Sequence, residues 1–66
     1  MNVSINGEER SIDTDSRVID LLELLSIPRT LVAVELNEEL LPKSQYDERV
    51  LREGDRLEIV TLVGGG

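Results

Sequence analysis

Arg17-Val18-Ile19-Asp20-Leu21-Leu22-Glu23-Leu24-Leu25 is the stretch on which the fold turns. Val18, Leu21, Leu22 and Leu25 recur at i, i+3, i+4 and i+7, the spacing of one apolar stripe along a helix, and such a stripe must lie against another element. A polar cluster, Asp13-Thr14-Asp15-Ser16, precedes it. Ser16 or Asp15 is expected to accept hydrogen bonds from the free N–H groups that open the helix. Pro28 is expected to stop the helix, because the residue before a proline prefers extended geometry.

On the N-terminal side, Val3 and Ile5 alternate with Asn2, Ser4 and Asn6, the period-two pattern of a strand with one buried face. Asn6-Gly7 is a strong hairpin signal, since a type I′ turn requires positive φ at both central residues. The returning strand, expected over 8–12, is short and polar, with Arg10 and Ile12 on one side and Glu9 and Ser11 on the other. Charges of this kind discourage an edge strand from pairing with other chains.

On the C-terminal side, Leu31-Val32-Ala33-Val34-Glu35-Leu36 reads as a strand, with Val32, Val34 and Leu36 on one face. Asn37-Glu38 turns the chain into a short strand at 39–41. Pro42 ends that strand by removing a backbone donor, and Ser44 is expected to cap a single helical turn holding Tyr46, Asp47 and Glu48. Gly54-Asp55 leads into the last strand, Arg56-Leu57-Glu58-Ile59-Val60-Thr61-Leu62-Val63. Its alternation sets Leu57 and Ile59 against Glu58, Val60 and Leu62. If the first pair faces the helix, Val60 and Leu62 are exposed, where a partner protein could cover them. One helix between strands of one sheet makes a two-layer α+β domain over residues 1–62, followed by a flexible glycine tail at 63–66.

The chain has 66 residues and a net charge of -7, from 14 acidic and 7 basic side chains. A domain this small buries only about 60% of its unfolded surface, which leaves no room for an enclosed substrate pocket. The acidic balance repels phosphate backbones and anionic lipid, so neither nucleic acid nor membrane is expected as a partner. Without an apolar run long enough to span a bilayer or a signal-like N-terminus, a cytoplasmic protein is expected. Histidine and cysteine are absent, and with them the usual general base, the best nucleophile and any disulfide or thiolate metal site. Asp13-Thr14-Asp15 imitates the start of a calcium loop, but Arg17 and Val18 stand where that loop needs an oxygen ligand and a glycine. No catalytic residue and no metal site is therefore assigned, and the chain is not expected to be an enzyme.

What remains is the end of the sequence, Gly64-Gly65-Gly66. Terminal glycines can be frayed chain, but without a Cβ they can also enter a channel too narrow for other residues. A terminal carboxylate on Gly66 would be ionised at neutral pH and a poor electrophile, so attaching anything to it requires prior activation by another enzyme. The four residues 63–66 reach roughly 13 Å when extended, enough to pass from a docked body into a recessed site. Docking at Val60, Leu62 and Val63 would then be separate from chemistry at Gly66.

Val32-Ala33-Val34-Glu35-Leu36-Asn37, Leu41-Pro42-Lys43-Ser44, Gly54-Asp55-Arg56-Leu57-Glu58-Ile59-Val60 and Val63-Gly64-Gly65-Gly66 together resemble the ThiS family, the sulfur carriers of thiamin biosynthesis in the ubiquitin-like β-grasp superfamily. The resemblance covers the whole chain. It implies a β-grasp fold, a mixed sheet of four to five strands on one main helix. It also implies that a ubiquitin-activating-like adenylyltransferase uses ATP to adenylate Gly66. Sulfur from a donor such as a cysteine desulfurase then replaces AMP, and the resulting thiocarboxylate supplies a thiazole synthase. ATP belongs to the partner, and no cofactor is expected on the chain itself. Gly65 and Gly66 correspond to the family's diglycine, and Gly64 is an extra glycine found in some members. Tyr46 stands where many relatives have Trp, and Lys43 where Arg is frequent, departures that touch structure or docking. Two alternatives stay open: a carrier of the same fold serving molybdopterin, tRNA thiolation or amino-acid synthesis, and a ubiquitin-like or TGS-like interaction domain whose glycines are incidental.

Overall fold

The computed structural model describes residues 1–62. Strands β1 (Asn2–Ile5) and β2 (Glu8–Ser11) form the N-terminal hairpin, helix α1 (Val18–Leu24) follows, and β3 (Val32–Leu36), β4 (Glu39–Leu41) and β5 (Arg56–Thr61) complete a sheet in the order β2-β1-β5-β3-β4. β5 lies at the centre, parallel to β1 and antiparallel to β3. The sheet is mixed and five-stranded, and α1 covers one of its faces, the expected two-layer α+β arrangement.

Alternation decides which face is covered. Val3, Ile5, Val32, Val34, Leu36, Leu41 and Leu57 point inward and meet Val18, Leu21 and Leu22 of α1 in one core, with Leu25 and Ile59 partly buried at its margin. Both tight hairpins follow from their turn residues. Asn6 and Gly7 have φ of 50° and 86°, and Asn37 and Glu38 have φ of 52° and 70°. Glycine and asparagine tolerate this region, whereas Glu38 holds it against the clash of its own Cβ.

The helix starts differently from expectation. Its N-cap residue is Arg17, and neither Ser16 nor Asp15 caps it. Ser16 Oγ instead donates to the Asp13 carbonyl at 2.7 Å. The Val18 and Ile19 N–H groups donate to the carbonyls of Arg49 and Tyr46, both at 3.0 Å, so a distant loop satisfies the helix start. Asp20 reaches back to the Arg17 N–H at 2.8 Å, one half of a capping box.

The helix also ends before Pro28 can act. Ser26 has φ of 58°, its N–H donates to the Glu23 carbonyl, and Ile27 N–H donates to the Leu22 carbonyl. This pair of bonds is a Schellman motif, which closes the helix four residues after Leu22. Leu31, expected to begin β3, belongs to a 3₁₀ turn at Arg29–Leu31. The second expected helical turn is likewise displaced. It is a 3₁₀ turn at Lys43–Gln45 that follows Pro42, so Ser44 lies inside it and does not cap it.

Candidate functional site

The uncovered face of the sheet has two halves. Strand period places Leu31, Ala33, Val60 and Leu62 on this face, since their neighbours Val32, Val34 and Leu57 face the core. Ala33 is opposite Val60 in the register, and Leu62 N–H donates to the Leu31 carbonyl at 2.8 Å. Leu31, Val60 and Leu62 are 41%, 53% and 57% exposed, and Leu40 on β4 is 70% exposed. Leu31, Ala33, Val60 and Leu62 therefore gather at the C-terminal end of β5, whereas Leu40 stands opposite Glu35, in the row of Glu35 and Glu58.

The other half is charged. Glu35 on β3 stands directly opposite Glu58 on β5, and Arg56 Nη2 donates to Glu38 Oε1 at 3.0 Å. Ser4, Gly7, Glu35, Glu38, Arg56 and Glu58 surround an open concavity of about 330 Å³. Among the described residues Glu35 and Glu58 make no ion pair, so two like charges face each other across the strands, an arrangement that weakens a sheet. No three potential metal ligands converge among the described residues. Nor is any helix there long and apolar enough to cross a membrane.

Of the residues singled out from sequence, Val60 and Leu62 are exposed next to one another on the open face. Val63, Gly64, Gly65 and Gly66 lie outside the described residues. Leu31 extends the apolar area, Leu40 is exposed beside Glu35, and neither was singled out. Leu40 alternates with the buried Leu41, which was a usable signal, whereas the approach of Leu31 to Leu62 depends on register. Asn6 was read only as a turn residue. Its side chain also binds the backbone of Ile59, accepting from the N–H at 2.8 Å and donating to the carbonyl at 3.3 Å.

Arg29 ties the two 3₁₀ turns together. Its Nη1 lies 3.0 Å from both Asp47 carboxylate oxygens, its Nη2 donates to the Lys43 carbonyl at 3.0 Å, and its guanidinium is 5.7 Å from the centre of the Tyr46 ring. These groups satisfy one another and hold the loop that receives the start of α1.

The sequence profile of the ThiS family matches residues 3–66. The sulfur carrier protein ThiS of Bacillus subtilis is 37% identical over 65 residues, covering 97% of this chain and 98% of that protein. The crystal structure of the thiamine biosynthesis protein ThiS from Geobacter metallireducens superposes with a TM-score of 0.85 at 33% identity, covering 100% of both chains. The thiazole synthase of Paramagnetospirillum magneticum is 46% identical over 66 residues, and this chain spans only 20% of its length. With the profile matched almost end to end and full-length likeness in sequence and structure to ThiS proteins, the chain belongs to the ThiS family of small sulfur carriers with the ubiquitin-like β-grasp fold.

Proposed function

We propose that this protein carries sulfur as a thiocarboxylate on Gly66 for formation of the thiazole of thiamin. The observation that carries the reading is that the family match runs through residue 66, so Val63-Gly64-Gly65-Gly66 fall inside it. Residues 1–62 act as the docking body and residues 63–66 as the reactive arm. A Gly66 carboxylate oxygen attacks the α-phosphorus of ATP in the adenylating partner and releases pyrophosphate. The acyl adenylate is an activated electrophile: a sulfide-level sulfur nucleophile delivered by the donor attacks its carbonyl carbon, the C–O bond to AMP breaks, and the thiocarboxylate remains. The partner must surround this intermediate and exclude water, because hydrolysis would return the carboxylate.

The apolar half of the sheet face, which holds Val60 and Leu62, supplies the docking surface. Such exposed aliphatic groups are suited to burial at an interface core. A thiazole synthase as recipient is favoured by the similarity of this whole chain to a fifth of one.

The arm chemistry requires Gly66 to end the chain. With the purified adenylating enzyme, the unmodified protein should support ATP–pyrophosphate exchange. A version extended by one alanine after Gly66 should bind but give no exchange above background. Equal exchange by the extended protein would favour an interaction domain whose glycines are incidental.

A further inference from the structure

β5 is paired unequally on its two sides. On the side toward β3 its register is continuous from Leu36↔Leu57 to Val32↔Thr61. On the side toward β1 it pairs only at Ser4↔Arg56 and Ile5↔Leu57. There, Ser4 N–H donates to the Asp55 carbonyl and Asn6 N–H to the Leu57 carbonyl, both at 2.9 Å. The chain then reverses at Asn6-Gly7, and the Asn6 amide takes the place of a further strand residue by binding both backbone groups of Ile59.

Strand alternation carries this pattern one step on. Asp55, Leu57 and Ile59 direct their bonds toward β1, whereas Arg56 and Leu62 bond toward β3, to the Asn37 N–H at 2.7 Å and the Leu31 carbonyl at 2.8 Å. Thr61 therefore directs its N–H and C=O to the β1 side, past the end of β1. Among the described residues no bond reaches either group.

An unpaired strand edge is a template for another strand, and proteins usually guard it. The outer strand β2 carries Glu8, Glu9 and Arg10, and the outer strand β4 is three residues long. The stretch Ile59-Val60-Thr61-Leu62 has neither protection, being uncharged and rich in β-branched residues. Its position limits what can use it. Residues 63–66 start here and reach roughly 13 Å, so a protein that takes Gly66 into a recessed site must press against this end of β5.

We propose that the β1-side edge of β5 at Thr61 is a strand-addition site, where an extended segment of the adenylating partner pairs its backbone with Thr61 N–H and C=O. The Asn6 amide sets its inner limit by sealing Ile59. Face and edge then act together: Val60 and Leu62 give apolar contact, while backbone bonds at Thr61 fix the direction in which the arm leaves the body. This assignment rests on the carrier reading.

Two measurements on the full chain test it. In the nitrogen-15-labelled protein saturated with the adenylating enzyme and without ATP, exchange of the Thr61 amide proton should slow by about tenfold or more, as a new hydrogen bond requires. Unchanged Thr61 exchange in the saturated complex would overturn the proposal. Thr61→Pro removes the donor on the open edge, although its ring also fixes φ there and restricts Val60, and Thr61→Ala retains the donor while losing the same side chain. Thr61→Pro should raise the KM for the protein in ATP–pyrophosphate exchange by about tenfold, and Thr61→Ala by less than about twofold. Equal KM values for the two variants would again overturn it while leaving the carrier reading intact. Should Thr61→Pro fail to fold, the Thr61 amide of the unmodified protein decides. Absence of both binding and exchange with the unmodified protein would remove the carrier reading and this proposal together.

Discussion

Tyr46 is fully buried, yet its hydroxyl has no hydrogen-bond partner among the described residues. Burying an unpaired hydroxyl costs about 1–3 kcal/mol, so Tyr46→Phe should be neutral or should stabilise the protein by up to about 1 kcal/mol. Urea unfolding measures this directly, and a loss above about 1 kcal/mol would reveal a bond that the geometry lacks. The pKa of the Asp20 carboxylate is clearly displaced. The Arg17 backbone N–H holds it below its ordinary value of 3.8, partly opposed by desolvation, and the Arg17 guanidinium adds to the lowering. Because the folded pKa is depressed, this interaction stabilises the protein above pH 3.8 and fades as pH falls through that value toward the folded pKa. Asp20→Asn should therefore lower the urea midpoint at pH 7, and the gap from the unmodified protein should narrow at pH 3. A gap of constant size would mean that the charge of Asp20 contributes nothing.

Elements are held at their ends by contacts of very different range. The end of α1 is local: Ser26 occupies the left-handed region that the Schellman motif demands, a conformation costing a non-glycine residue about 1 kcal/mol. Ser26→Gly should raise stability by roughly 0.5–1 kcal/mol, read as a higher thermal midpoint, because glycine meets that φ without strain. A lowered midpoint would contradict this reading of the helix end. The start of α1 is non-local, and this separates what could be read in the sequence from what could not. The Leu stripe, the Asn6-Gly7 turn and the two faces of β5 are periodic or local signals, and the structure matches them. The cap expected at Asp15 or Ser16 fails because the Val18 and Ile19 N–H groups are taken by carbonyls at Arg49 and Tyr46, roughly thirty residues away. No pattern near residue 18 encodes such a partner. The displaced turn at Lys43–Gln45 has the same origin, since Pro42 sets its start and the Arg29–Asp47 bridge holds the segment that follows.

At the scale of the whole molecule, the helix face of the sheet makes the core and the other face is left to solvent. The apolar half of that open face was half visible. Val60 and Leu62 follow from alternation along β5, but their union with Leu31 needs the strand order, which one sequence does not state. The Glu35–Glu58 opposition was hidden for the same reason, as it exists only once β3 and β5 are neighbours. The role assigned to Gly66 was legible chiefly through family resemblance, since glycines alone suit frayed chain equally well. A body that docks and an arm that reacts is the central claim, and intact-mass spectrometry after incubation with the adenylating enzyme, ATP and a sulfur donor tests it most directly. Replacement of one carboxylate oxygen by sulfur should add about 16 Da, confined to the C-terminal fragment that contains Gly66. An unchanged mass with the cognate enzymes active on a control carrier, or an addition elsewhere in the chain, would contradict it.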